Sequence, residues 1–143
     1  MVAADGHEIG NHSDTHARLS RLSPEEQLRE VKNCEKKIET ACGVHPVLFR
    51  PPEGIVTSTV SRILDREKYT LVLWSIDTRD WECKSAEKIA ARVLHEVQPG
   101  DVILLHDYIG HGSQTPQALE IFLPELIGQG YEFVTVSELL STP

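Results

Sequence analysis

Apolar and polar positions come in blocks along this chain, and the period of the pattern changes from block to block. Leu28, Val31, Ile38 and Ala41 recur at helical spacing. The block carries its own start and stop signals: Ser23 can cap, Pro24 suits a first turn, and Glu26 stands where a capping box wants a carboxylate. Gly43 suits the left-handed residue that ends many helices. A short apolar run at residues 46–49 then predicts a buried strand leading into Arg50. The same alternation continues with a helix over about 57–68, a buried strand over 69–76 ending at Asp77, and a helix over 85–97 with Ile89, Val93 and Val97 in register. Pro99-Gly100 turns into a strand over 101–106, Thr115-Pro116 caps a helix to about residue 129, and a last strand at 133–135 precedes a terminal helical turn. Before residue 23 the sequence is polar and rich in His, with no strand predicted. Continuously apolar strands alternating with helices predict parallel β/α units in one domain.

Arg50, Asp77 and His106 each fall just after a strand run. In parallel α/β folds the carboxyl ends of the strands are where chemistry is built, so three unlike polar side chains at such ends form a candidate site.

Charge narrows the partners. Lys and Arg total 14 against 22 Asp and Glu, a formal net charge of −8 with no basic patch, which argues against nucleic acid. No stretch reaches the roughly 20 apolar residues of a membrane span, and the first residues show neither a basic nor an apolar export region. Cys34, Cys42 and Cys83 form no C-x-x-C pair and read as ordinary thiols; Cys34 and Cys42 are too far apart on one helix for a disulfide.

His12 and His16 stand four residues apart, so on a helix or helical turn they share a face and can chelate one divalent ion. Imidazole ligands make Zn²⁺ the default, with Co²⁺ or Ni²⁺ as alternatives. Two ligands are fewer than the three of a catalytic zinc, and Asp14 between them is a poor third. The pair alone is equally well read as a His-rich surface turn.

The segment Gly6-His7-Glu8-Ile9-Gly10-Asn11-His12-Ser13-Asp14-Thr15-His16 resembles the H-[ST]-x-x-H metal motif of the polysaccharide deacetylases, with its glycine-rich lead-in. Arg50-Pro51-Pro52-Glu53-Gly54 resembles that family's R-P-P-Y-G, Asp77-Thr78-Arg79-Asp80-Trp81 its D-x-x-D-W, and Leu104-Leu105-His106 its L-x-H, all in the family's order. The resemblance implies a hydrolase of the carbohydrate-esterase type that removes N-acetyl groups from an amino-sugar polymer such as chitin oligomers or peptidoglycan. It implies metal ligation by His12 and His16. His106 becomes a general acid, with Asp80, or less readily Asp77, orienting that imidazole. Arg50 would steady the catalytic Asp, a main-chain N–H after Pro52 would hold the oxyanion, Glu53 would replace an aromatic sugar contact, and Trp81 and Leu104 would line the acetyl-methyl pocket. Core packing is the plainer alternative for Trp81 and Leu104, and a strand-end salt bridge for Arg50 and Asp80.

The family's first motif, of the form T-F-D-D-G, supplies a general base and a third metal ligand, and no Asp-Asp pair occurs among the 143 residues. By resemblance, residues 1–143 are therefore the C-terminal part of a single polysaccharide-deacetylase domain, an α/β fold forming a partial, distorted (β/α) barrel without its first strand or strands. Arg50 would then be an unpaired cation, activity impaired or absent, and the alternative a non-catalytic metal- or carbohydrate-binding fragment. An open sheet edge predicts a homo-oligomer. His7, His45, His95 and His111 read as structural or loop residues, and nothing in the sequence fixes a cellular location.

Overall fold

A computed structural model describes residues 2–107 and 112–141; His111 lies outside them. The chain divides into two compact units, residues 1–73 and 74–143, and each is described by itself.

In the first unit, helix α1 (Pro24–Cys42) begins and ends as its local chemistry dictates. The Ser23 hydroxyl accepts from the Glu26 N–H, the Glu26 side chain accepts from the Ser23 N–H, and Gly43 closes the helix at φ 73°. Val31 turns into the core while Ala41 is exposed, so the apolar face is shorter than its sequence spacing predicts. Strands β1 (Leu48–Phe49) and β2 (Thr70–Leu71) pair in parallel, joined by helix α2 (Ser58–Arg66), which Thr57 caps. The core gathers Leu19, Val31, Phe49, Val60, Ile63, Leu64 and Tyr69. The segment before α1 is not wholly irregular. Asn11 forms a parallel bridge with Phe49, its N–H donating to Leu48 O (2.8 Å) and its carbonyl accepting from Arg50 N–H (2.9 Å).

In the second unit, β3 (Ile76–Asp77) and β4 (Ile103–Leu104) pair in parallel with Asp77 opposite Leu104. Helices α3 (Ala86–Glu96) and α4 (Thr115–Gly128) share a core of Ala86, Ile89, Ala90, Val93, Ala118, Phe122 and Leu126. A short α5 (Val136–Ser141) follows.

All four strand expectations change. The apolar run 69–76 is not one strand: Thr70 and Val72 N–H groups donate to Val47 and Phe49, whereas Ser75 N–H donates to Val102. The run changes ladder partner midway, which an apolar pattern cannot reveal. The strands near 46–49 and 101–106 shrink to two residues each. At 133–135 no strand forms; Phe133 and Val134 make no hydrogen bond to any described residue, and both are 51% exposed. A strand exists through its ladder, and this segment has none. It borders an apolar cavity of about 560 Å³ also lined by Val97, Leu105, Phe122, Leu126 and Leu139.

Candidate functional site

The two candidate metal ligands sit on a turn, not a helix, because Ser13 (φ 67°) and His16 (φ 58°) are left-handed. Buried Asn11 forces this conformation. Its Oδ1 accepts from Ser13 N–H (3.0 Å), and its Nδ2 donates to Val31 O in α1 (2.9 Å) and to the Tyr69 hydroxyl (3.2 Å). Tyr69 in turn donates to Glu35 Oε2 at 2.9 Å, and Glu35 is paired with Lys32. Burial pushes the Tyr69 hydroxyl well up. It also opposes ionisation of Glu35, but the bonds from Lys32 and Tyr69 outweigh it and hold that carboxyl below its usual range. Ser13 Oγ accepts from His16 N–H (3.1 Å), and Glu30 receives the N–H groups of Asp14 and Thr15.

The two imidazoles lie edge to face with centroids 5.0 Å apart. His12 Nδ1 is 2.6 Å from Arg50 O. A carbonyl can only accept, so Nδ1 carries the hydrogen, which is the arrangement a metal-ligating His uses to fix its ring. Asp14 is committed to Lys37, in keeping with its being a poor ligand. Burial pushes the Cys34 thiol up despite a hydrogen bond from the His12 backbone, so it offers little thiolate near neutral pH.

Arg50 follows β1, and its Nη2 donates to Leu73 O at 3.1 Å. The next residues form a 3₁₀ turn, Pro52–Gly54, in which Pro52 is buried and Glu53 takes φ 58°. Gly54 and Ile55 N–H groups close the turn onto Pro51 and Pro52, whereas Glu53 N–H meets no acceptor among the described residues. The Glu53 carboxylate accepts from Arg18 Nε at 2.5 Å.

The second unit brings Asp80 and His106 together. Asp80 is fully buried and accepts three hydrogen bonds of 2.7 Å, from His106 Nδ1, His106 N–H and Thr115 Oγ1. Burial opposes its ionisation, but the bonds from His106 and Thr115 outweigh it and hold the carboxyl below the usual range. Thr78 supports the turn, its hydroxyl donating to Leu104 O (2.8 Å) and accepting from Asp80 N–H (3.3 Å). Asp77 does not take the His106 role; its Oδ1 accepts from Arg79 N–H at 3.0 Å. Trp81 is 51% exposed beneath the Arg79 guanidinium, which excludes core packing, and Leu104 is half-buried in β4. Thr115 was legible only as a helix cap. It is instead the first residue of α4, and its hydroxyl serves Asp80.

The residues fit part of a metal site. The two rings lie close together, and one is braced by a carbonyl as a metal-ligating His usually is. The three-ligand cluster found among the described residues is Glu35, Glu39 and His45, and includes neither His12 nor His16. Its members are otherwise engaged, Glu35 with Lys32 and Tyr69 and His45 with Glu39.

Comparisons with known proteins agree with the motifs. Residues 1–72, half of the chain, match the polysaccharide deacetylase family model. A Bacillus cereus peptidoglycan-N-acetylglucosamine deacetylase is 43% identical over 142 residues, and the chain spans 66% of its length, just under two thirds. An acetyl xylan esterase of family 4 from Clostridium thermocellum, solved with a cobalt ion, superposes with a TM-score of 0.90 at 35% identity, covering 97% of this chain and 66% of that one. A CE4 family pseudoenzyme from Bacillus anthracis superposes with the same score at 30% identity, covering 99% of this chain and 49% of that one. With motif order, local geometry and fold in agreement, the chain belongs to the polysaccharide deacetylase family.

Proposed function

We infer that this chain carries the metal-holding and proton-donating parts of a hydrolase that removes N-acetyl groups from an amino-sugar polymer, peptidoglycan glycan or chitin oligomers. Both units are read as one polysaccharide-deacetylase domain, because the alignment with the Bacillus cereus relative runs across both. The observation that carries the reading is the buried Asp80 carboxylate gripping His106 at both its backbone and its ring. The Asp80 bond fixes the hydrogen on Nδ1, so Nε2 is the ring atom that exchanges a proton with substrate, and the carboxylate holds that ring in place to serve a departing amine.

His12 and His16 would hold the metal, with Zn²⁺ preferred over Co²⁺ or Ni²⁺ for a site of this donor set. Such an ion polarises the acetamide carbonyl and lowers the pKa of a water. Glu53 N–H is the main-chain donor suited to the developing oxyanion. Arg50 supports the turn that bears it, as Pro52 does by its burial. Trp81 and Leu104 supply apolar surface for the acetyl methyl and sugar, while Asp77 organises the turn that aims Asp80.

No Asp-Asp pair occurs in the sequence, so the residue types that serve the family as general base and third ligand have no counterpart in these 143 residues. Assayed by itself, the chain is expected to release little or no acetate from N-acetylglucosamine oligomers, since loss of a general base costs on the order of 10²–10⁴ in rate. Fusing to it a segment that bears the family's T-F-D-D-G motif tests the assignment. The chimera should gain metal-dependent deacetylation, and His106→Ala should remove it by a similar factor. An active chimera indifferent to His106→Ala would refute the acid role. The alternative, a binding fragment without catalysis, draws support from the likeness to the pseudoenzyme and predicts a chimera that binds but does not turn over.

The unladdered segment at Phe133 and Val134 is the edge through which a second copy would pair, making the chain a homo-oligomer.

A further inference from the structure

Arg18 lies two residues beyond His16 and belongs to none of the motifs, yet its Nε reaches Glu53 Oε2 at 2.5 Å across 35 positions of sequence. The two turns it connects are the ones that matter in this unit. One carries His12 and His16 and holds two left-handed residues; the other carries Arg50 and the left-handed Glu53. Left-handed backbone is unfavourable for residues with a Cβ, so such turns persist only where contacts over-determine them. The His turn has Asn11, Ser13 and Glu30. For the Glu53 side chain the corresponding contact is Arg18. The pair also answers a chemical difficulty: a bare carboxylate on the residue whose N–H faces no acceptor would repel a developing oxyanion, and a guanidinium bonded to it offsets that charge.

We propose that Arg18 is a positioning residue whose ion pair with Glu53 clasps the His12–His16 turn to the Arg50–Gly54 turn and neutralises the carboxylate beside the Glu53 N–H. The clasp itself rests on geometry; its effect on metal rests on the reading of His12 and His16 given above. Both side chains are nearly half exposed, 43% and 45%, so the effect is modest and sensitive to salt.

The test uses imidazole NMR signals of the ¹⁵N-labelled chain together with calorimetric Zn²⁺ titration, on R18Q, E53Q, R18Q/E53Q and the charge swap R18E/E53R. Each single variant should move the His12 and His16 signals and leave His95 in place. The double variant should move them no further, and the swap should return them toward wild type. Zn²⁺ affinity should fall about two- to fivefold in each single variant, and salt at about 1 M should bring wild type down to their level. Unmoved His12 and His16 signals, or single effects that add in the double variant, would overturn the clasp. A wild-type chain that takes up no Zn²⁺ would remove the metal reading, while the imidazole signals would still decide the clasp.

Discussion

Asp80 is a buried anion held by three hydrogen bonds, and its consequences can be measured at that one residue. Because its folded carboxyl is held below the ordinary value of about 3.9, the native state stays ionised after the unfolded chain has begun to protonate. The stability it contributes is present above that ordinary value and is lost as pH falls through it toward the depressed one. Denaturant titrations between neutral pH and about pH 3 should therefore show an acid decline that Asp80→Asn reduces, alongside a loss of about 1–3 kcal/mol at neutral pH; identical acid limbs in both proteins would contradict this. Asn11 is the matching test in the first unit. Asn11→Ala strands the Ser13 N–H and removes a second donor from the Val31 carbonyl, and should cost on the order of 1–3 kcal/mol by chemical denaturation while shifting both imidazole signals. The sequence pointed to His12 and His16 through their spacing, to His106 through strand-end placement, and to Asp80 through the family resemblance. It could not point to Thr115, Tyr69 or Arg18, because their partners lie 35, 34 and 35 positions away, and only the fold makes them neighbours.

At the scale of elements, what was legible followed from how local the determining interactions are. Both ends of α1 were readable because Ser23, Glu26 and Gly43 act within one turn of the helix. Ser23→Ala should accordingly cost about 1 kcal/mol in thermal or chemical unfolding, with an unchanged result counting against the capping box. Strands were legible as apolar runs but not as ladders. The run 69–76 looks uniform, yet its first half pairs with the segment near Phe49 and its second with the segment near Val102. The run at 133–135 has strand composition and no ladder. Helix and surface turn stayed equal readings for the His segment, because four-residue spacing is common to a helix and to a turn whose conformation is set by the Asn11 and Ser13 side chains.

At the scale of the whole molecule, the resemblance read from four motifs agrees with family, relatives and solved structures alike. The proposed pairing of two copies through the exposed Phe133–Val134 segment has a direct test. Light scattering should report a dimer or larger species that Val134→Pro, which removes a backbone donor, shifts toward monomer; a monodisperse monomer at high concentration would sink the idea. The central claim, that His12 and His16 form the metal-holding part of a deacetylase site, is tested most directly by Zn²⁺ titration calorimetry on the chain and on its His12→Ala/His16→Ala variant. Binding near one equivalent is expected, and the double substitution should abolish it. No binding by the wild-type chain, or binding that survives the double substitution and so belongs to another group such as Glu35, Glu39 and His45, would contradict it.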